Sequence, residues 1–421
     1  MTENLTQRDS SKPMNSARAV LKIICCFLIS ITDLESQVIT NYNTENSEIP
    51  FNTVRCIELQ NNGLWIGTDA GLARFINNQW EIFDSNNSPL YSDDIRALKA
   101  DGDSIIWIGT VNGGLFSYDG SNWENFNVSN SGLLDNLIRD INIDQLSNIW
   151  ISTTEGLFMY DRTNWEHWNM QDNNLLTNNI TSVQIGTHNE KYVGTINGGI
   201  IYFDSLNQYN EYTIINSDLP DNSVVAIEID GNGQPWFLSP AAGLVYDTDV
   251  GGPWNNFNNL NSGLPSNALN CLQFMGDELV IGSEVSGLIF KDGESWQYLN
   301  TLNSELPDDY VLSIKIDELQ NIWVGTFNAG LCKINLQNSI EEYLNKGVLC
   351  YPNPIETNGK VHFAKSFSGV IRIYNNIGEL LFLNHVLNCK SLALPENIIR
   401  GSYVITFSND LSQSTQSIIV K

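Results

Sequence analysis

Short apolar runs alternate with clusters of glycine, asparagine and aspartate along most of the chain. One stretch shows the plan. Residues 95–100 alternate apolar and polar positions, and Asp101-Gly102-Asp103 then supplies turn chemistry. Residues 105–110 form a β-branched and aromatic run, and Gly113-Gly114 permits a reversal through positive φ. Residues 115–118 make a third run, Asp119-Gly120 a second turn, and residues 123–126 a fourth run. The plan recurs. Its second-run marker is Trp65, Trp107, Trp150, Tyr192, Trp236, Val280 and Trp323, at spacings of 42, 43, 42, 44, 44 and 43 residues. Seven copies at a near-constant period indicate a repeat architecture. Four antiparallel strands in a unit of this size make one propeller blade. The expected fold class is therefore all-β: a seven-bladed β-propeller, followed by a small antiparallel β-sandwich domain.

A single blade cannot bury both of its faces, whereas seven in a ring bury each against a neighbour. The first strand of each unit accordingly carries an apolar pair, such as Ile57/Leu59, Ile141/Ile143 or Ile227/Ile229. The recurrent tryptophans read as core, since indole burial dominates by area. Fourth strands carry aromatic pairs, from Trp80/Phe83 through Trp296/Leu299 to Ile340/Tyr343. Residues 38–43 fit the same fourth-strand pattern through Ile39 and Tyr42, ahead of the first complete unit. They are expected to close the last blade, with residues 339–344 as the competing candidate. The propeller is assigned to residues 38–345.

The two ends follow different rules. In residues 1–37, Arg18 and Lys22 precede the apolar run 23–31, too short to span a bilayer and fitting a signal-peptide core. Met14 is an alternative start. Residues 346–421 contain no copy of the repeat, and the runs 361–363, 369–374, 379–382, 402–407 and 416–420 read as short strands of a β-sandwich.

The formal net charge of −27, with 21 Lys and Arg in 421 residues, excludes a basic stripe, and nucleic acid is not an expected partner. No catalytic constellation stands out. The four histidines, His167, His188, His362 and His385, are scattered and none recurs. Asp93/Asp94 and Asp308/Asp309 lie in inter-blade loops, where acidic turn residues belong. Asp101-Gly102-Asp103 and Asp230-Gly231-Asn232-Gly233 lack the acidic ligand that completes a calcium loop. No metal or cofactor is expected. Cys56 and Cys271 occupy a repeat position otherwise held by Ala97, Asp140, Ser182, Ala226 and Ser313, so they read as small residues rather than disulfide partners.

The motifs Ile106-Trp107-Ile108-Gly109-Thr110 with Gly113-Gly114-Leu115, and Ile322-Trp323-Val324-Gly325-Thr326 with Gly330-Leu331, resemble the two-component regulator propeller family. That resemblance implies an extracytoplasmic sensor-like ring; several such rings recognise oligosaccharides. The chain has no room for a kinase and no later membrane span. At the other end, Tyr351-Pro352-Asn353-Pro354, residues 371–378, Leu394-Pro395 with residues 400–403, and the terminal Ile418-Ile419-Val420-Lys421 resemble a type A sorting domain of the type IX secretion system. This implies the type IX secretion machinery as a partner, export to the medium or the outer cell surface, and removal of the domain.

The ligand site is expected where loops gather around the channel mouth. Inside the fixed Gly-Thr and Gly-Leu frame the loop between strands two and three varies: Asp69, Asn112, Glu155, Asn197, Glu284, Phe327 and Asn328. Arg55, Arg96 and Arg139 share one position at the start of strand one in three consecutive units. They could grip a carboxylate or sugar hydroxyls through their planar forks, or pair with neighbouring acids such as Asp94 or Asp140. The expected function is a secreted or surface-held binding module for glycans or another small polar ligand. The alternatives are a polysaccharide-acting enzyme and a structural or adhesive surface protein.

Overall fold

The computed structural model describes residues 38–61, 63–247, 253–335, 350–351, 359–375, 379–395, 398–408 and 413–421. The expected signal segment and residues 339–344 lie outside the described residues. Within them the fold is all-β, without helices.

Seven four-stranded antiparallel sheets follow one another. Six are consecutive in sequence. The first comprises β2 (Val54–Gln60), β3 (Gly63–Thr68), β4 (Gly71–Ile76) and β5 (Gln79–Phe83), and the next four-strand groups repeat its order. The seventh sheet is composite. Its inner three strands are β26 (Val311–Ile316), β27 (Asn321–Thr326) and β28 (Leu331–Asn335), and its outer strand is β1 (Val38–Tyr42). β1 runs antiparallel to β28, with Val38 opposite Asn335 and Tyr42 opposite Leu331. The N-terminal segment thus closes the last blade. The Tyr42 ring packs 5.4 Å from Phe75 and 5.9 Å from Trp80 of the first blade, and 6.3 Å from Trp323 of the seventh, bridging the seam.

The innermost strands touch in succession around the ring, and β2 meets β26 to complete it. The glycine of the recurrent Gly-Thr pair has a reason here. A Cβ on Gly109 would sit 2.6 Å from Cγ2 of Ile138 on the next blade, so the side chain is absent where blades approach. Trp65, Trp107, Trp150 and Trp323 are buried as expected, and each indole N–H has a buried-side acceptor. Asp101, Asp144 and Asp317 accept from Trp107, Trp150 and Trp323 at 3.0–3.1 Å, and Gln60 accepts from Trp65 at 3.1 Å. The aspartate lies six residues before its tryptophan, in the turn, so each turn is bolted to the core.

The described C-terminal residues form one five-stranded antiparallel sheet whose strands run longer than the short ones expected. Two expected runs merge into β30 (Lys360–Asn375), which pairs with β31 (Leu380–Ala393) through three register shifts. These irregularities let the long pair bend over a common core of Val361, Ile371, Ile373, Leu392, Leu394, Ile398, Tyr403, Ile405 and Val420.

Candidate functional site

The loops between strands two and three and the loops between blades lie together on one face of the ring. The N–H of Gly71, Gly114, Gly199, Gly287 and Gly330 each donates to the carbonyl of a loop residue: Asp93, Asn136, Asn222, Asp309 and Asn52, at 2.7–3.1 Å. Those same five loop residues, with Asn178 and Asn267, also accept at their side chains from the backbone eight residues earlier, at 2.6–3.0 Å. The threonine of the Gly-Thr pair closes the other loop: Thr68, Thr110, Thr153, Thr195 and Thr326 donate through Oγ1 to the glycine carbonyl three or four residues on, at 2.7–2.9 Å. Frame residues therefore hold the backbone, and the tips are free to differ.

The arginine position is a β-bulge. The register of strand one against strand two skips Arg55, Arg96 and Arg139, and likewise Thr181, Asn270 and Leu312. A bulge leaves one residue out of the ladder and re-aims its side chain. In six of seven blades this residue is turned out of the ladder, close to the mouth.

Each arginine there is already engaged. Arg55 grips Asp69 through two bonds, Nε to Oδ1 at 2.6 Å and Nη2 to Oδ2 at 2.8 Å. Arg96 forms an ion pair with Asp94, with Nε 2.6 Å from Oδ1, but makes a single hydrogen bond to it, Nη2 to Oδ2 at 2.8 Å. Arg139 turns instead to its neighbour blade, donating to Asn179 Oδ1 and to the Ile180 carbonyl at 3.2 Å. The pairing alternative thus holds for two of the three. Asp69 raises the Arg55 pKa, whereas burial lowers that of Arg139, with Asp135 opposing.

The residues expected from sequence do not all converge. Arg55, Asp69 and Phe327 come together across the seam: the Arg55 guanidinium lies 5.7 Å from the Phe327 ring centre. Tyr310, not singled out in the sequence, stacks on Phe327 at 4.9 Å and 23°. Its signal was an aromatic residue just before strand one, where the other units have small or polar residues, apart from Leu137. Glu284 is close enough to act electrostatically on Tyr310. Asn112, Glu155, Asn197 and Asn328 are exposed loop tips; Asn112 and Asn197 hold positive φ values of 70° and 65°. Glu155 accepts from Asn178 at 3.4 Å, and the Asn328 N–H donates to Asp308 at 2.9 Å.

Below the mouth lies a polar belt missed in the sequence. One position of strand one reads Glu58, Lys99, Asn142, Gln184, Glu228, Gln273 and Lys315 around the ring. Lys315 meets Glu58 at 2.6 Å across the seam, Gln184 donates to Glu228 at 2.9 Å, and Asn142 donates to Gln184. Gln273 of the belt, and Asp140 two residues before the belt's Asn142, cap the free inner edge of the next blade: Gln273 accepts from the Ile316 N–H at 3.0 Å and Asp140 from the Val183 N–H at 2.8 Å. Burial drives Glu228 up to about 7 and Asp140 up to about 6, against the pull of the lysines. Unbroken polarity at one position of otherwise apolar strands was the available clue. Among the described residues no three His, Cys, Asp or Glu side chains gather as a metal site requires.

Comparison with known proteins matches the two ends of this picture. A model described as a secretion system C-terminal sorting domain matches residues 349–421, and one described as a two component regulator propeller matches residues 305–328. No curated protein matches. Among solved structures, the extracellular domain of a hybrid two component system from B. thetaiotaomicron is 18% identical over 90% of this chain and 54% of its own, with a TM-score of 0.60. PorZ of Porphyromonas gingivalis, described as an essential bacterial surface component of the type-IX secretion system, is 15% identical over 88% and 60%, with a TM-score of 0.57. Virginiamycin B lyase from Staphylococcus aureus is 12% identical over 72% and 100%, with a TM-score of 0.58. The chain thus spans about half to three fifths of the first two relatives. At these identities the likeness is one of fold. The sorting-domain match implies the secretion machinery that reads such domains as a partner, and with it a secreted or cell-surface protein. No described helix is long and apolar enough to cross a membrane.

Proposed function

We propose that the ring is a surface-held binding module for glycans or another small polar ligand, docked at the channel mouth. The observation that carries this reading is the cluster of Arg55, Asp69, Phe327 and Tyr310. It sets a forked ion pair beside a stacked aromatic pair, on a rigid frame with variable tips. Arg96 and Arg139 extend the polar arc into the next two blades, and Asn112, Glu155, Asn197 and Asn328 are the loop tips available to a longer ligand. The segment 1–37 acts as a signal peptide, and the C-terminal domain is cut off once export is complete. Two carboxylates facing each other across a cleft, as a glycosidase needs, are not what supports a reading here: Asp69 and Asp94 are each held by an arginine.

A glycan-array screen of the purified chain tests the proposal, followed by Arg96→Ala and Arg139→Ala measured against whichever glycan scores. Affinity should fall by at least about 1 kcal/mol, the smaller end for a charged hydrogen bond, with the melting temperature unchanged. A hit whose affinity ignores both substitutions places the site elsewhere.

A further inference from the structure

The charges at the mouth say more about the ligand than its polarity does. Three arginines near a channel suggest an anion receptor, yet none is free to act as one. Arg55 is closed onto Asp69 by two short bonds, Arg96 is ion-paired with Asp94 through one hydrogen bond, and Arg139 is spent on a side-chain amide and a carbonyl. The other described bases of the ring are no nearer to being available. Lys99 and Lys315 belong to the belt deeper in the channel, Lys191 is buried, Arg162 is bound to Asp101 and Arg74 to Glu81, Lys291 donates to the Gly293 carbonyl beside Trp296, and Lys333 lies over Trp323. Acids on the same face are not so restrained: Glu45, Glu155, Asp218, Glu284 and Glu305 are exposed. An anion arriving here meets guanidinium groups already neutralised by Asp69 or Asp94 and must cross a negative field.

We propose that the mouth excludes anionic ligands and takes neutral or amine-bearing sugar rings. The inference rests on the binding-module reading above and specifies its ligand. An arginine closed on an aspartate still offers unused N–H donors beside unused carboxylate lone pairs. A pair of neighbouring hydroxyls, each both donor and acceptor, meets that array without breaking it. The Tyr310–Phe327 stack supplies an apolar face for the ring, and Glu284 beside Tyr310 favours a positive substituent over a negative one.

The test uses the full chain and three probes of equal length: xylohexaose, the fully deacetylated chitosan hexamer and hexagalacturonate, titrated calorimetrically at low salt. The acidic probe should bind at least about tenfold more weakly than the better of the other two, the worth of one charge-assisted hydrogen bond. The double variant Asp69→Asn/Asp94→Asn releases both guanidinium groups and should gain about tenfold or more for hexagalacturonate. If the double variant does not fold, the single variants Asp69→Asn and Asp94→Asn make the same comparison. A wild-type chain that prefers or equally accepts hexagalacturonate overturns the charge rule and leaves the binding-module reading standing. A folded variant with no gain for that probe also overturns the rule. If the wild type binds none of the three, a gain in the variant still supports the rule. Silence across the wider array is then what removes the binding-module reading.

Discussion

Asp144→Ala offers a measurement with its own internal control. Asp144 and Asp317 occupy the same turn in different blades and make the same four bonds. Each accepts two backbone N–H groups at 2.9–3.0 Å, one asparagine amide at 2.7–3.0 Å, and one indole N–H at 3.0 Å. They differ in one neighbour. Lys191, 1% exposed, places its Nζ 3.8 Å from Asp144 Oδ2, 4.9 Å from the Trp150 ring centre and 2.8 Å from Asn207 Oδ1. Burial lowers the Lys191 pKa, and Asp144 is the first of the acids opposing that shift. Removing Asp317 costs the turn and the indole bond. Removing Asp144 costs these and also takes the nearest opposing charge from a buried cation that keeps Asn207 and the Trp150 ring, which raises the loss to about 3 kcal/mol, the lower end for breaking a buried pair. The excess of Asp144→Ala over Asp317→Ala should therefore be about 2 kcal/mol, taking the turn terms as equal. Lys191→Met keeps the packing volume and leaves Asp144 with four donors, so it should cost about 1–2 kcal/mol, the range of one net hydrogen bond. Urea denaturation followed by tryptophan fluorescence reads all three midpoints. If the two alanine variants unfold together within about 0.5 kcal/mol, the lysine is not coupled to its acid and the reasoning fails.

Deleting residues 38–42 removes the outer strand of blade seven and the Tyr42 bridge, and should lower the melting temperature by several degrees; an unchanged melting curve speaks against closure by β1. Stability should also depend on the channel acids. Burial raises Glu228 from 4.5 to about 7 and Asp140 from 3.8 to about 6, so the folded ring holds protons that the unfolded chain has released. Their contribution is full below those ordinary values and is lost as pH rises through about 6 to about 7. The urea midpoint should fall across that window, and Glu228→Gln, with Lys99, Lys315, Gln184 and Asp140 still facing the site, should flatten the fall; a wild-type midpoint that rises there contradicts it. Burial also pushes the Cys56 thiol upward and those of Cys271 and Cys332 up to about 12, so these three should react with a thiol reagent only in denaturant.

The ring was legible because its period survives in residues that cannot change freely. A glycine where blades touch and a threonine closing the loop each mark five of the seven repeats, and a buried tryptophan marks four. Val38–Tyr42 was legible for the same reason, through the Ile39 and Tyr42 pair. The mouth was legible only by position. Sequence set Arg55, Arg96 and Arg139 in one register and offered Asp94 as a partner, which Arg96 takes, but could not show that a bulge re-aims them, nor that Asp69 reaches back to hold Arg55. Asp69 is fourteen residues from Arg55, and such a pairing depends on the width of the loop. Tyr310 escaped because its partner, Phe327, lies across a hairpin. The belt at Glu58 to Lys315 escaped because polar residues there look like ordinary alternation until the strands are known to circle a channel. In the C-terminal domain, the merging of two short runs into β30 depends on bulges, which leave little trace in composition.

Closure by the first strand gives the two ends of the ring unequal tolerance to proteolysis. Every described strand of blade seven lies at or before Asn335, and its outermost member comes from the opposite end of the ring sequence. A cut downstream of Asn335 takes no strand from any described blade of the ring. Upstream the latitude is small. Trimming into Val38–Tyr42 exposes the edge of β28 and removes the aromatic bridge between the first and last blades. The ring's tolerance to trimming from the front therefore ends at about Val38, where its last blade begins.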